Sequence, residues 1–390
     1  MKKLIAITGI RSDYDLMSAL YRRLAADRGV DFRLLVGGAH LSKTYGYSID
    51  LIRADGIPIL ATIESLIDAD TKSSRLKTAS IMLQSAVDVV AAWSPDLILY
   101  AGDREEVWIG AALGAYLEIP TVHFYGGDHV ATGHVDNLVR HAASKMSTYH
   151  AVSTEEHRSR LLAIGEPASR ISVIGSLALD NFVAEPALER SELSGRIGFP
   201  EQMGDYALVL FHPEPAEFSN VREICGNILE QLKAAGLGAC IGYPNTDPAN
   251  KEIIDLFREY ADEPRFLFYK NLARPEFISL YKNANFIIGN SSSGVIEAAS
   301  IPIPAISVGL RQRGRHAGRN VIFTDPDRGA IREAIGKAQD PAFLRAMAGM
   351  VNPYGDGHSC DRAYTLITNT DFAALRRKVE DPLPREQELN

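Results

Sequence analysis

The sequence predicts an α/β protein with two Rossmann-like, doubly wound domains that face each other across a cleft. Three observations predict this class: short apolar runs alternate with amphipathic stretches, the runs are continuously apolar, and a polar segment at 182–204 interrupts the series once. Continuous apolar character is typical of strands that are buried on both faces of a parallel sheet. The length of 390 residues agrees, because it corresponds to two or three domains of ordinary size.

The first half of the chain contains a series of alternating strands and helices. A helix start is indicated by the capping residues Ser12 and Asp13, which precede apolar residues at helical spacing. The predicted strands are 4–10, 32–38, 97–102, 121–127, 147–153 and 171–175, and the predicted helices between them are 13–27, 74–93, 105–117 and 136–146. We therefore expect a first domain over residues 1–182.

A second series of strands follows the polar segment 182–204, which is interrupted by Pro and Gly and is predicted to be a linker. The strands are 206–212, 238–243, 265–270, 284–290, 304–309 and 321–325. They predict a second domain over 205–357. The remaining residues, 358–390, predict a closing helix at 359–378 and a frayed, charged tail, and we expect this segment to pack back near the first domain.

Composition excludes several classes of partner. The chain has 41 basic and 49 acidic side chains, a formal charge of -8, so its overall field repels nucleic acid and anionic membrane surfaces. Three cysteines provide neither a disulfide framework nor a C-x-x-C metal or redox spacing. The N-terminus lacks the apolar region of a signal peptide, and no apolar run is long enough to span a bilayer. We expect a cytoplasmic protein without a metal.

The strand-to-helix turns carry no standard dinucleotide or P-loop motif, so no nucleotide cofactor is expected. A different anion site is indicated by Gly289, Asn290, Ser291, Ser292, Ser293 and Gly294, which follow the apolar run ANFII and precede the helical stretch VIEAAS. Backbone N–H groups and hydroxyls at such a turn suit a diphosphate. Glu297, one helical turn later, suits ribose hydroxyls. The same serines are also typical helix caps, and the residues alone leave both interpretations open.

Basic residues accompany this turn. Arg311, Arg313 and Arg315 follow the next strand, and His212 ends the strand YALVLFH. Guanidinium groups bind phosphate well, and an imidazole at a strand end can donate to phosphate or transfer a proton. A solvated loop and a structural histidine are the alternative interpretations.

Acidic residues take the corresponding places in the first half. Asp103 follows the strand LILYAG, Asp128 follows TVHFYGG, and Asp136 opens the helix DNLVRHAASKMS. Because the carboxyl ends of parallel strands meet at one edge of a sheet, these carboxylates are expected to share a cleft, to raise each other's pKa, and to supply a base, an acid and an electrostatic stabiliser. Helix capping and turn formation are the alternatives for Asp103 and Asp136.

At these residues the sequence resembles the hydrolysing UDP-N-acetylglucosamine 2-epimerases of sialic-acid and related nonulosonic-acid pathways. The resemblance runs through most of residues 1–320 in the family's order. Its matching stretches are TGIRSDYDLM, GGAH, AGDREE, HFYGGD, DNLVRHAASKMS, STEEHRSRLLAIGE, IGSLALDN, FHPE, YPNTD, GNSSSGVIEA and GLRQRGR.

The resemblance implies a fold similar to the B-type glycosyltransferases (GT-B), with UDP held mainly by the second domain. It implies that Ser291, Ser292, Ser293 and Gly294, with neighbouring Asn290, bind diphosphate, that Glu297 binds ribose, and that Asn245, His40, His212, Arg11, Arg311 and Arg315 form the surroundings of the nucleotide sugar. It also implies a homodimer or a dimer of dimers.

The family reaction eliminates UDP to give a 2-acetamidoglucal and then adds water with inversion at C2, which turns UDP-N-acetylglucosamine into N-acetylmannosamine and UDP. Asp103, Asp128 and Asp136 match its acidic positions, with His212 as a further catalytic candidate. The family usually has glutamate where this chain has Asp128, so the carboxylate of this chain reaches roughly 1.5 Å less far from the backbone. The family also commonly has an acidic residue where this chain has Asn137. Alternatives are a UDP- or GDP-N,N'-diacetylbacillosamine 2-epimerase of the legionaminic acid pathway, a glycosyltransferase, and an inactive nucleotide-sugar sensor.

Overall fold

The computed structural model describes residues 1–69, 71–244 and 247–381 of the chain. The first domain is built on a seven-stranded sheet with the order β3-β2-β1-β4-β5-β6-β7, and the paired strands are parallel. Its strands are β1 Lys2–Thr8, β2 Val30–Gly37, β3 Ile59–Ile63, β4 Leu97–Ala101, β5 Thr121–Phe124, β6 Tyr149–Val152 and β7 Ile171–Val173. The strand order reverses between β1 and β4, at the kind of switch point where open α/β sheets bind ligands.

Helices cover both faces of this sheet. They are α1 Arg11–Ala26, α2 Ile49–Ala54, α3 Lys72–Trp93, α4 Glu105–Tyr116, α5 Val135–Met146, α6 Glu155–Ala163 and α7 Ala178–Ala184. Leu4 and Leu99 pack with α1 on one face of the sheet, whereas Ile5 and Ile98 pack with α3 and α4 on the other. The strands are therefore apolar on both faces, which explains their continuous apolar sequences.

The second domain has a six-stranded parallel sheet with the order β10-β9-β8-β11-β12-β13. The strands are β8 Tyr206–Leu210, β9 Gly238–Gly242, β10 Phe266–Tyr269, β11 Phe286–Gly289, β12 Ala305–Val308 and β13 Val321–Thr324. The helices are α8 Arg190–Ile197, α9 Val221–Ala234, α10 Asn250–Glu259, α11 Arg274–Lys282, α12 Ser293–Ile296, α13 Arg328–Gln339 and α14 Pro341–Ala346. Two parallel, doubly wound domains confirm the predicted fold class.

Several elements differ from the sequence-based prediction: helices α2, α6 and α7 of the first domain are absent from the predicted set, and strand β3 and helix α8 differ as follows. Strand β3 is missing from the predicted set because it lies at the edge of the first sheet, where Ile63 is its one buried residue. Helix α8 lies within 182–204, which was expected to be a linker. Leu193 of α8 is buried in a core of the second domain together with Phe199 and Met203, so this segment is a packed part of that domain.

The C-terminal segment contacts the first domain. It forms α15 Ser359–Asn369 and α16 Phe372–Leu375, so the single helix predicted at 359–378 is interrupted near Thr370. Ala363, Ile367 and Phe372 join the core beside α1. The Arg170 guanidinium donates to the Leu375 carbonyl at 2.7 Å and holds this segment against the sheet. Of the predicted tail, 382–390 lies outside the described residues.

Cys225, Cys240 and Cys360 are free thiols. Within the described ranges, no helix is long and apolar enough to cross a membrane.

Candidate active site

A cavity of about 820 Å³ lies between the two domains. Its walls are loops at the carboxyl ends of both sheets, which is where ligands of doubly wound folds bind. The residues proposed from sequence that line it are Arg11, Asp103, Asp128, Asp136, His212, Ser291, Ser292, Ser293, Glu297, Arg311 and Arg315. The three aspartates of this set come from the first domain, and the three serines and Glu297 come from the second.

Asp103 follows β4 and lies at the entrance to α4. Its side chain is 25% exposed and pairs with the guanidinium of Arg140, which is 2% exposed. Arg140 lies on α5, four residues after Asp136, and therefore on the same face of that helix. A buried cation thus holds the Asp103 carboxylate at the edge of the cavity.

Asp128 lies at the end of the turn that follows β5. This turn requires Gly127, because its φ is +77° and a Cβ there would collide with the backbone of His157. The Asp128 carboxylate pairs with Arg315 of the second domain at 2.7 Å, lies 3.9 Å from Arg140, and approaches His157 Nε2 at 3.5 Å. Burial raises the pKa of Asp128, but the charges of Arg315 and Arg140 and the hydrogen bond with His157 outweigh burial and hold the pKa well below its usual range.

Asp136 lies in the first turn of α5. One carboxylate oxygen accepts from Arg75 at 3.0 Å, and the other lies 3.1 Å from Nδ1 of His134. Burial raises the pKa of Asp136, but the His134 hydrogen bond and the Arg75 charge outweigh it, so the pKa lies far below its usual range. Asp136 is therefore an anion, as Asp128 is.

Asn137 occupies the position where the resemblance suggests an acidic residue. Its amide accepts from the Val130 N–H at 3.1 Å and donates to the Val130 carbonyl at 2.6 Å. A carboxylate could not make the second of these bonds, because it has no proton to donate. The amide thus fixes the loop between Asp128 and Asp136.

The opposite wall of the cavity contains the serine turn after β11. Gly289 has φ +142°, and a Cβ there would collide with the carbonyl of Leu210, so the turn requires glycine. The helix expected after the turn is only the four-residue α12, so its dipole is a small contribution. The anion-binding potential of this wall therefore depends on the hydroxyls, the N–H groups and the nearby arginines.

His212 and Asn290 form a connected pair beside the serine turn. The Asn290 amide accepts from the His212 N–H at 2.7 Å and donates to the His212 carbonyl at 2.8 Å. Burial and the charge of Arg311 lower the pKa of His212 to about 3, so its imidazole is neutral. Asn290 itself is buried and is not among the residues that line the cavity, and its amide holds the backbone of His212. Its role as a nucleotide contact stays a prediction.

The loop after β12 directs two of its arginines into the cavity. Arg311 donates to the Asn290 carbonyl at 3.1 Å, and Arg315 donates to Gln312 at 2.8 Å and reaches Asp128. Arg313 pairs instead with Asp325 on the exposed side of the loop. The loop thus contributes Arg311 and Arg315, as the sequence predicts.

Glu297 is buried in the wall behind the serine turn. Burial raises its pKa to about 7, and one carboxylate oxygen has no hydrogen-bond partner among the described residues. An unsatisfied buried carboxylate is costly to the folded state and is typical of a ligand site.

The remaining predicted residues take different places. Arg11 pairs with Asp15 at 3.0 Å and donates across the cleft to Asn271 at 3.1 Å. His40 is fully buried, and its ring nitrogens are hydrogen-bonded to Thr8 and Ser48, which gives it a structural role, while its role as a substrate contact stays a prediction. Gly294 donates its N–H to the Ser291 carbonyl within the turn and does not line the cavity. Asn245 lies outside the described residues.

The sequence-based prediction missed the cations that hold the acidic wall. Arg140 and Arg75 each pair with predicted carboxylates, and Arg104 pairs across the cleft with Asp247 at 3.3 Å. For Arg140 the spacing of four residues from Asp136 was an available signal. The pair between Arg104 and Asp247 has no local signature, because the two residues belong to different domains.

Comparisons with known proteins agree with this geometry. Residues 22–368 match a protein-family model described as UDP-N-acetylglucosamine 2-epimerase. The chain is similar to a protein of Legionella pneumophila named UDP-N,N'-diacetylbacillosamine 2-epimerase (hydrolyzing), with 34% identity over 94% of this chain and 96% of the relative. It is also similar to a UDP-N-acetylglucosamine 2-epimerase of Neisseria meningitidis, with 29% identity over 87% of this chain and 88% of the relative.

The fold is likewise similar to a solved structure. A crystal structure of UDP-GlcNAc 2-epimerase from Neisseria meningitidis bound to UDP-GlcNAc has a TM-score of 0.80 and 17% identity, and the match covers 94% of this chain and 100% of that chain. The family match spans most of the chain and includes both walls of the cavity. The chain therefore belongs to the UDP-N-acetylglucosamine 2-epimerase family and is an enzyme of the nucleotide-sugar 2-epimerase type.

Proposed function

We propose that this enzyme is a hydrolysing 2-epimerase that releases UDP from a UDP-linked 2-acetamido sugar and inverts the configuration at C2. One observation carries the proposal: the cavity has three aspartates on the wall of the first domain, and serine hydroxyls, an imidazole and two guanidinium groups, together with Glu214 and Glu297, on the wall of the second. This distribution suits a reaction in which positive charge develops on the sugar while a diphosphate leaves.

The chemistry couples two bond cleavages. The C2 hydrogen of such a sugar is not acidic, so its loss must accompany cleavage of the bond between C1 and the diphosphate oxygen. Asp103, Asp128 and Asp136 stabilise the positive charge at C1, and Ser291, Ser292, Ser293, His212, Arg311 and Arg315 stabilise the departing diphosphate. Water then adds to the 2-acetamidoglucal. Its hydroxyl binds C1, and a hydrogen binds C2 on the face opposite to the one from which the original C2 hydrogen was removed. The products are UDP and the free sugar inverted at C2.

The proposed substrate is UDP-N-acetylglucosamine, with N-acetylmannosamine as the released sugar. The name of the Legionella pneumophila relative supports a second candidate, UDP-N,N'-diacetylbacillosamine. The GDP-linked form of that sugar is included as a third donor.

The test is incubation of the protein with each of these nucleotide sugars in deuterated water. The expected result is release of the nucleoside diphosphate from one donor, UDP or GDP according to the donor, with a deuterium at C2 of the freed, inverted sugar. A protein that releases neither UDP nor GDP from any of the three donors would contradict the proposal. Transfer of the sugar to an added acceptor with the C2 hydrogen retained would indicate a glycosyltransferase, and tight UDP binding without turnover would indicate a sensor.

The second-domain wall predicts the residues that hold UDP. Replacing Ser292 and His212 together by alanine is expected to raise the Kd for UDP about 100-fold, because each removes a hydrogen bond to a charged group worth about 1.5–3 kcal/mol. Isothermal titration with UDP measures the change. Replacing the exposed Ser191 and His358 by alanine is the matched control. An unchanged Kd in the first variant would move the diphosphate elsewhere.

The raised pKa of Glu297 predicts a pH dependence of UDP binding. The ionised carboxylate accepts hydrogen bonds from both ribose hydroxyls, so binding favours the anion and is weakened as pH falls through about 7. We expect the Kd for UDP to rise about fivefold between pH 8 and pH 6. UDP itself gains a proton in this range, which also changes the Kd. Glu297→Gln is therefore the control, because the pH dependence that this variant loses is the contribution of Glu297. A slope that persists unchanged in Glu297→Gln would contradict the assignment.

A homodimer or dimer of dimers also belongs to the proposal. The side chains of Leu76 on α3 and Leu138 on α5 are 68% and 70% exposed. They lie at helix ends that the ion pair between Arg75 and Asp136 holds together. Sedimentation equilibrium should give at least twice the mass of one chain.

A cytoplasmic location, where a protein with three free thiols stays reduced, remains a prediction.

A further inference from the structure

The three predicted carboxylates are all engaged by cations. Asp103 pairs with Arg140, Asp136 with Arg75, and Asp128 with Arg315. If a bound diphosphate drew Arg315 away, Arg140 and His157 would still face Asp128. Paired carboxylates are good stabilisers of positive charge and poor proton acceptors, because taking a proton would break an ion pair. The elimination therefore needs another group to accept the C2 proton.

His134 lies in the loop directly before α5 and lines the same cavity. Its side chain is 11% exposed, and Nδ1 lies 3.1 Å from a carboxylate oxygen of Asp136. Nε2 makes no hydrogen bond to any residue in the described ranges 1–69, 71–244 and 247–381. In the neutral tautomer that carries its proton on Nδ1, the imidazole donates to the Asp136 carboxylate and leaves the Nε2 lone pair facing the cavity, an arrangement that suits a general base.

The charged groups around this imidazole are mainly acidic. Asp136 approaches it from α5, Glu214 from the loop after β8, and Asp247 from the loop after β9, with Arg75 of α3 behind Asp136 and Arg104 beside Asp247. Burial lowers the pKa of His134, but these carboxylates outweigh burial and raise it above its usual value. The raised pKa means that the imidazole takes up a proton more readily than an ordinary histidine, which suits a group that accepts the C2 proton.

We infer that His134 is the base of the elimination step and that Nε2 takes the C2 hydrogen as a proton while UDP departs. The electron pair of the C2–H bond forms the double bond between C1 and C2, and the pair of the C1–O bond leaves with UDP. Nδ1 keeps its own proton and donates it in a hydrogen bond to the Asp136 carboxylate, whose negative charge stabilises the imidazolium. After UDP has left, the imidazolium releases its proton to solvent, and water supplies both groups that add to the glycal. This inference rests on the proposed function.

The structure also gives His134 a second role that an experiment must separate. The Asp136 N–H lies 3.2 Å from His134 Nδ1 and can donate to it in the other neutral tautomer, which carries its proton on Nε2; in that tautomer His134 caps the first turn of α5. Asparagine is among the best capping residues, since its side-chain oxygen accepts the same kind of bond, but it has no nitrogen that titrates. His134→Asn therefore keeps the cap and removes the base. The matched control is His358→Asn, since His358 also directly precedes a helix, α15, and is exposed away from the cavity.

The experiment uses a donor from which the wild type releases UDP; a wild type inactive with every donor contradicts the proposed function and not this inference. With that donor, His134→Asn is expected to lower kcat about 10² to 10⁴-fold, with KM and melting temperature nearly unchanged. The acidic limb of the wild-type pH profile of kcat should disappear, and His358→Asn should keep both rate and profile.

Two results would overturn the inference. One is a His134→Asn variant that keeps kcat within about threefold of the wild type, which is too small a loss for a general base. The other is a large loss of kcat with the wild-type pH profile retained, because a residue that only positions Asp136 would give that pattern.

Discussion

Replacing Asp103 by asparagine is expected to lower kcat about 10³-fold while the Kd for UDP stays within about twofold, because loss of one preorganised charge costs roughly this much. The substitution keeps the shape of the side chain and an oxygen that accepts from Arg140. It removes the negative charge that faces the sugar when C1 becomes positive. The rate is measured as UDP release, and the Kd by isothermal titration.

A large fall in kcat with an unchanged Kd for UDP would show that Asp103 acts on the sugar. Asp103 belongs to the wall of the first domain, whereas the serine turn belongs to the second, so the charge should act on the sugar and not on UDP. Asp50→Asn makes the same chemical change on α2, where the side chain is 68% exposed, and should leave both quantities unchanged. A loss of UDP affinity as large as the loss of rate would assign Asp103 to the nucleotide site.

Residues at strand ends could be predicted because topology alone brings them together. Asp103 and Asp128 follow neighbouring strands, β4 and β5, and the carboxyl ends of parallel strands meet at one edge of the sheet. The continuous apolar runs that identify such strands are visible in the sequence. The edge strand β3 is only partly buried and has no such continuous apolar run, so the sequence does not identify it.

The groups that set the charge state of the site could not be predicted in this way. Arg315 meets Asp128 across the cleft, nearly 190 positions away in the chain, and no local pattern links them. The expectation that carboxylates would raise each other's pKa fails for Asp128 and Asp136, because it counted the acidic groups and not the arginines. The sequence therefore indicates where the acidic groups lie, and the structure shows that they are paired.

Arg140→Met is expected to destabilise the protein by about 3–5 kcal/mol, the usual cost of breaking a buried ion pair by removing one partner. The Arg140 guanidinium pairs with Asp103, donates to the Asp128 carbonyl at 2.9 Å and donates to Asn137 at 3.3 Å. Methionine fills similar space without charge and leaves these acceptors unpaired. For a chain of this size the melting temperature should fall by roughly 5 °C. Arg345→Met, on the exposed side of α14, is the control and should have little effect.

The destabilisation caused by Arg140→Met should be larger at neutral pH than at acidic pH. Arg315 and Arg140 lower the pKa of Asp128 in the folded protein, so their contribution to stability is present above the unfolded pKa, about 3.9, and disappears as pH falls through the folded value. Arg140→Met removes part of this contribution. The difference in free energy of unfolding between wild type and variant, measured with urea, should therefore be largest near pH 7 and narrow below about pH 4. A difference that is constant over this range would mean that Arg140 stabilises the fold by packing and not by its charge.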